Sequence, residues 1–188
     1  MVAGVRLKGE EQTREYWDRK WAREDGDRRD IPRHLDRLGV DLSDRMVLDI
    51  GCGKSKDDAK LRDRGAFVVP VDFSEAACRF QSKRGVAAVC GDAQRLPFKS
   101  ECFDVVVASH VLEHLTDLHV VGEWMRVLRP GGVMLILGPH GMGWDTRCHE
   151  HFWTFEHDQM VHFLFQFSDC VTFLRPDRYD ELIVAVRK

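Results

Sequence analysis

The chain is predicted to fold as a doubly wound α/β domain, and three observations carry that prediction. Seven apolar runs of strand length punctuate its 188 residues. Helix-like segments separate most of them. Several runs are apolar at consecutive positions, the pattern of strands covered on both faces in a mostly parallel sheet.

In chain order, the first element is a helix within residues 10–25, where Tyr16, Trp17, Lys20 and Trp21 fall on neighbouring turns of a charged segment. Asp30-Ile31-Pro32 opens a second, short helix, which ends near Gly39. The strand runs are "MVLDI" (46–50), "FVVPVD" (67–72), "AAVCGD" (87–92), "FDVVVAS" (103–109), "VMLILGP" (133–139), "CVTFLR" (170–175) and "ELIVAV" (181–186). Between them lie helix candidates at 57–65, 74–85, 117–132 and 154–167. Gly65, Gly85 and Gly131 stand where helices stop. Only "PDRYD" joins the last two strands, a hairpin connection, so one edge strand is expected to run antiparallel. The expected organisation is one domain over 1–188, with a helical cap segment at 1–40 and the α/β core at 46–188.

Composition narrows the function. The formal net charge is −3, and Lys and Arg are interspersed with acids, so no basic field argues for nucleic acid. No apolar stretch spans a bilayer, and the N-terminal residues lack a signal-type apolar block. A soluble, cytoplasmic protein is expected. The six cysteines are scattered without a CxxC pair, which fits a reducing compartment.

Ligands of open α/β sheets bind at the carboxyl ends of the strands, near the switch in strand order. "VLDIGCGKS" (47–55) occupies that place on the first core strand. Gly51 and Gly53 allow a tight turn and close backbone approach. A dinucleotide fingerprint requires a third glycine where Lys56 stands. The pattern is instead D-x-G-x-G-x-S, with Asp49 two residues before the first glycine. An acid suits an ammonium group better than a pyrophosphate, which favours S-adenosylmethionine over a dinucleotide. Asp72 follows Gly51 at about the 20-residue offset at which an acid grips a ribose. Asp92 ends the next strand, suited to accept from an adenine amino group, with the Ala93 amide beside it. The strand 103–109 ends in a polar cluster that floors the same pocket.

These residues resemble a known family. "LDIGCG", "GDAQRLPF", "FDVVVASHVLEHL" and "VLRPGGVMLILGP" occur in the order and spacing of class I S-adenosylmethionine-dependent methyltransferases, over roughly residues 46–188. The resemblance implies a Rossmann-like methyltransferase fold, a seven-stranded sheet with the last strand antiparallel. It implies that Asp49, Gly51 and Gly53 hold the methionine part, Asp72 the ribose, and Asp92 with Ala93 the adenine, while Ser109 lines the cleft and Phe73 also binds the cofactor. In the N-terminal helix, Tyr16, Trp17 or Trp21 either face the sulfonium as a cation–π wall or only dock the helix. The family shares a cofactor and not a substrate, and a small-molecule acceptor is the default expectation. The alternative is a non-catalytic S-adenosylmethionine-binding regulatory or partner subunit.

The segment 138–162 holds Cys148, His149, His151, His157 and His162. HExxH is not met, because position 153 is Trp, and finger-type spacing is absent, so no metal site is expected. A loop over the active site followed by an amphipathic helix is expected, with His140, His149 and His151 as candidate catalytic, substrate-facing residues. His114 reads as a packing residue near the sheet end, and Trp124 and Met125 as core.

Overall fold

The computed structural model describes residues 4–6, 13–24, 30–140, 151–176 and 181–188. In chain order its elements are β1 (Gly4–Arg6), α1 (Arg14–Arg23), α2 (Ile31–Arg37), β2 (Met46–Ile50), α3 (Asp57–Arg62), β3 (Phe67–Asp72), α4 (Glu75–Lys83), β4 (Val89–Cys90), β5 (Phe103–Ser109), a 3₁₀ turn (Leu112–His114), α5 (Val120–Val127), β6 (Leu128–Pro139), β7 (Trp153–Phe155), α6 (His157–Leu164), β8 (Cys170–Phe173) and β9 (Glu181–Arg187).

The main sheet has seven strands in the order β4-β3-β2-β5-β6-β9-β8. The first five are parallel, and β9 is antiparallel to both β6 and β8. The last strand therefore runs antiparallel as the resemblance implies. It is not the edge strand: β9 inserts between β6 and β8, and β8 takes the edge. Strand order reverses at β2, whose neighbours are β3 and β5, and this is where a doubly wound sheet opens a crevice.

The consecutive apolar residues have the predicted cause. Val47, Val105, Val107, Val133, Leu135 and Ile183 pack under Ile31 and Leu35 of α2 and Leu61 of α3. Their strand neighbours Leu48, Val106, Met134, Ile136 and Val184 pack on the other face with Trp124 of α5 and Met160, Phe163 and Leu164 of α6. Successive strand side chains point to opposite faces, and here both faces are buried. Trp124 and Met125 are core, as expected.

Two helix expectations fail in part. The helix expected over 117–132 ends at Val127, and residues 128–132, Gly131 among them, already belong to β6. Thr154 and Phe155 form a strand, and α6 begins only at His157. β7 pairs antiparallel with β1, with Val5 opposite Thr154, in a two-stranded sheet. The helix α1 docks through Asp18, whose Oδ1 accepts from Ser74 Oγ at 2.6 Å and from the Ala76 amide at 2.9 Å at the start of α4.

At the sheet end opposite the crevice, Asp104 joins three strands. Its Oδ2 accepts from the Met46 amide at 2.8 Å and from Arg129 at 2.7 Å, beside the register shift between β5 and β6. Burial pushes the Asp104 carboxyl up, but the Met46 amide and Arg129 outweigh it and hold it below the ordinary carboxylate range. Asp104→Ala is expected to cost about 1–3 kcal/mol, because it strands a backbone donor and a guanidinium. A carboxyl with a lowered folded pKa stabilises above its unfolded value near 4 and loses that contribution as pH falls through the folded value. The deficit of Asp104→Ala should therefore be full at neutral pH and shrink on acidification, as read by urea unfolding at a series of pH values. An equal deficit at all pH values would show that the carboxylate charge plays no part.

Candidate active site

Beyond Ile50 the chain turns at Gly51, with φ +64°. The amides of Gly51 and Cys52 both donate to Val71 O, at 2.8 and 3.1 Å, which folds the turn onto the end of β3. The Gly53 amide donates to Asp72 Oδ2 at 2.7 Å. Gln81 of α4 supports the loop from the protein side, donating to Gly53 O at 3.0 Å and Ser55 O at 2.9 Å. The turn is thus held by hydrogen bonds to β3 and α4, with its open side free for a ligand.

A cavity of about 210 Å³ lies against it, at the carboxyl ends of the central parallel strands. Its wall includes Gly51, Asp72 and Phe73, then Asp92 and Ala93, and Trp17 and Trp21 from α1. The far side is formed by the segment after β5, from His110 to Thr116. Five of the cofactor residues expected from sequence other than Trp17 therefore border one cavity. Of the aromatic alternatives on α1, Trp17 and Trp21 face it, and Tyr16 instead packs edge-on against Trp17 at 5.3 Å.

Asp49, Gly53 and Ser109 do not border the cavity. Strand alternation explains two of them. Ile50 and Ala108 belong to the face of the sheet that continues into the crevice, so Asp49 and Ser109, one residue away, take the opposite face with Val47 and Val107. Both are buried, at 3% exposure. Gly53 acts through its amide on Asp72.

Both Asp72 oxygens receive backbone donors, Oδ2 from Gly53 and Oδ1 from Ser74 at 2.8 Å. Ser74, not Asp72, caps α4, accepting from the Ala77 amide at 3.2 Å. These donors hold the Asp72 carboxylate in place at the cavity wall. Asp92 Oδ1 accepts from the Gln94 amide at 2.8 Å, and the Ala93 carbonyl accepts from Trp124 Nε1 at 2.9 Å, which fixes this turn against the core.

Three of the histidine expectations divide. His140 is turned away: it bridges Phe155 in backbone pairing, and its ring lies 4.2 Å from that of His157 and its Nε2 3.7 Å from Glu156. His149 lies outside the described residues. His151 reaches the edge of the site, with its ring 4.7 Å from His114. His114 is more than a packing residue, because it forms part of the cavity wall between His151 and Trp17, whose ring is 4.9 Å away.

Sequence reasoning passed over His110 and Glu113. His110 adopts φ +54°, a left-handed conformation uncommon for a residue with a Cβ and found at functional sites. Its Nδ1 lies 3.1 Å from Glu113 Oε1, and Glu113 is fully buried. Burial pushes the Glu113 carboxyl up, but the His110 hydrogen bond and the charges of His110, His114 and His151 outweigh it and hold it below its ordinary value. The available signal was the His-x-x-Glu-His spacing directly after a strand that ends at the crevice.

Residues 48–136 match the family model for a methyltransferase domain. A demethylmenaquinone methyltransferase of Mycobacterium sp. (strain KMS) is 42% identical over 101 residues, covering 53% of this chain and 43% of that protein. The chain thus spans less than half the length of this relative. Among solved structures, an S-adenosylmethionine-dependent methyltransferase from Mesorhizobium loti superposes with a TM-score of 0.68 at 15% identity, over 83% of this chain and 96% of the other. A Burkholderia thailandensis 1,6-didemethyltoxoflavin-N1-methyltransferase, solved with S-adenosylhomocysteine, gives 0.65 at 20% identity, over 82% and 74%. Residues 48–136 are thus similar to a methyltransferase domain, and the α/β core has the fold of S-adenosylmethionine-dependent methyltransferases.

The cavity fits that cofactor. A Cβ on Gly51 would lie 2.4 Å from Val111 Cγ2, so the turn leaves backbone, and not side chain, facing the space. Carboxylates at Asp72 and Asp92 suit hydroxyl and amino donors, and the indoles of Trp17 and Trp21 suit a cation. Among the described residues no helix is long and apolar enough to cross a membrane.

Proposed function

We propose that the chain transfers a methyl group from S-adenosylmethionine to a small-molecule nucleophile held on the side of the cavity formed by His110, His114 and Trp17. The observation that carries this reading is the convergence of the Gly51 turn, Asp72, Asp92 and Trp17 on one crevice at the switch in strand order. S-adenosylmethionine supplies a methyl activated by its sulfonium centre. Asp72 accepts from the ribose and Asp92 from the adenine edge. Trp17 and Trp21 shield the charged region from water and offer aromatic faces to it. The protein's share of catalysis is then alignment and exclusion of water.

The acceptor side is lined by His110 and His114. His110 is fixed through Nδ1 by Glu113, which leaves its other nitrogen toward the space it shares with Glu181, 3.7 Å away. His151 and, by its neighbouring position in sequence, His149 are the residues assigned to orient the acceptor. A small acceptor is supported by the relatives, which are named for demethylmenaquinone and for 1,6-didemethyltoxoflavin.

The test is turnover of S-adenosylmethionine to S-adenosylhomocysteine with a panel of small hydroxyl, amino and thiol acceptors. At least one acceptor class is expected to be methylated. With that acceptor, His151→Ala should lose at least about tenfold in rate, or about 1.4 kcal/mol of barrier. Its cofactor affinity by calorimetry should stay unchanged, since the cofactor contacts come from other segments. Cofactor binding without turnover on any acceptor would instead support a binding subunit.

A further inference from the structure

The geometry points to a divalent metal site of zinc type formed by Glu113, His114 and His151 at the edge of the cofactor cavity. One ligand atom from each of the three residues lies within 4.8 Å of the other two. Around a zinc ion with bonds of ~2.0–2.2 Å, tetrahedral donors sit roughly 3.4 Å apart, so side-chain rotations close the cluster on an ion. Two imidazoles and one carboxylate are the donor set of open, three-ligand zinc sites, in which the fourth position is left for water or substrate.

A second observation points the same way independently. Glu113 is fully buried, and its Oε1 is engaged by His110. Among the described residues its Oε2 meets no hydrogen-bond partner. A buried carboxylate with an unsatisfied oxygen is costly, and coordination to a cation is one way in which it is retained. The His110 contact to Oε1 then takes the place of an outer hydrogen bond that orients a ligating carboxylate.

The backbone holds the ligands together before any ion arrives. Glu113 and His114 stand on the 3₁₀ turn after β5, and His151 precedes β7. Phe152 donates its amide to Glu113 O at 2.7 Å, and Trp153 Nε1 donates to Leu115 O at 2.7 Å. These two bonds lock the segment carrying His151 against the turn carrying its partners. The expectation of no metal rested on HExxH and finger-type spacing within 138–162, and neither pattern describes an open site that joins that segment to the end of β5.

The open coordination position faces the cavity, because His114 is part of its wall. It would take a hydroxyl or thiol of the acceptor, an assignment that rests on the methyltransferase reading. Binding of the ion itself does not rest on it. Magnesium, which prefers oxygen ligands, is expected to bind poorly at two imidazoles.

The experiment is titration of the chelator-treated protein with zinc chloride, against a chromophoric competitor, with cofactor calorimetry on the same samples. One zinc per chain is expected, and magnesium is expected not to compete. His114→Ala and His151→Ala should each weaken zinc binding at least about tenfold, the loss that even outer-shell changes produce. His162→Ala, on the exposed face of α6, should not change it. His151 is only half-buried, so its variant keeps the test open if His114→Ala does not fold. No stoichiometric zinc in protein that binds S-adenosylmethionine would overturn the site, as would equal zinc affinity in His151→Ala. In that event the histidines act as cationic partners of a buried carboxylate. Zinc binding without cofactor binding would count against the methyltransferase reading and leave the metal site standing.

Discussion

Gly51→Ala is expected to reduce S-adenosylmethionine affinity by at least about a hundredfold, roughly 2.7 kcal/mol. Two costs meet at this residue. The backbone is left-handed, at φ +64°, which a residue with a Cβ adopts at a cost of roughly 1–2 kcal/mol. The added methyl would also lie 2.4 Å from Val111 Cγ2, well inside van der Waals contact, and such overpacking costs typically 1–3 kcal/mol. Relief requires the turn or Val111 to move. Gly51 and Val111 both line the cavity, so either movement narrows the space that the cofactor needs. Gly85→Ala separates the two costs. Gly85 is also left-handed, at φ +78°, but a Cβ there meets nothing within 4 Å. It should lose stability by about the backbone term and keep full affinity. Calorimetry with S-adenosylhomocysteine and thermal unfolding of both variants provide the measurement. Wild-type affinity in Gly51→Ala would mean that the cofactor does not lie against this turn.

The sequence made the strands legible because both faces are buried. β2, β3 and β5 occupy the same residues as their apolar runs. β6 begins at Leu128, earlier than its run, because "LRPGG" reads as a helix end while the backbone there is already extended. The position of β9 was not legible. A short connection indicates antiparallel pairing with β8, but nothing local says on which side of β8 the strand inserts. At the site, Asp72 and Asp92 were legible because a strand end places its neighbourhood at the crevice whatever the side chain's direction. Asp49 and Ser109 lie within strands, where a shift of one residue changes the face, and they fall outside the cavity lining. The cluster of Glu113, His114 and His151 depends on the Phe152 amide meeting Glu113 O, a contact between segments that no spacing rule contains. The surroundings of His140 were not legible for a related reason: its backbone pairs with Phe155, in a segment read as helix.

Trp124 is where the core and the cofactor site meet, and Trp124→Ala is expected to destabilise the protein by about 3–5 kcal/mol. The side chain is fully buried among residues of β5, β6 and α6, and an alanine leaves a large cavity there. Such a loss is a large part of the roughly 5–15 kcal/mol that holds a domain folded. Trp124→Phe is the more informative change. It keeps most of the apolar bulk and removes the Nε1 donor from Ala93 O, a bond of 2.9 Å. The loop after β4 has little regular structure and is held mainly by α5: Trp124 grips Ala93, Glu123 accepts from the Leu96 amide at 2.9 Å, and Arg126 donates to Phe98 O at 2.9 Å. Of these, only the Trp124 bond acts on the turn that carries Asp92 and Ala93 to the cavity. Stranding that carbonyl should cost about 1–3 kcal/mol and loosen the adenine side of the pocket. Cofactor affinity should therefore fall in Trp124→Phe even at temperatures where the variant is fully folded. Urea unfolding reports the first effect, and calorimetry well below the midpoint reports the second. A variant that loses stability and keeps full affinity would show that Asp92 and Gln94 hold the turn unaided, and that α5 serves the core alone.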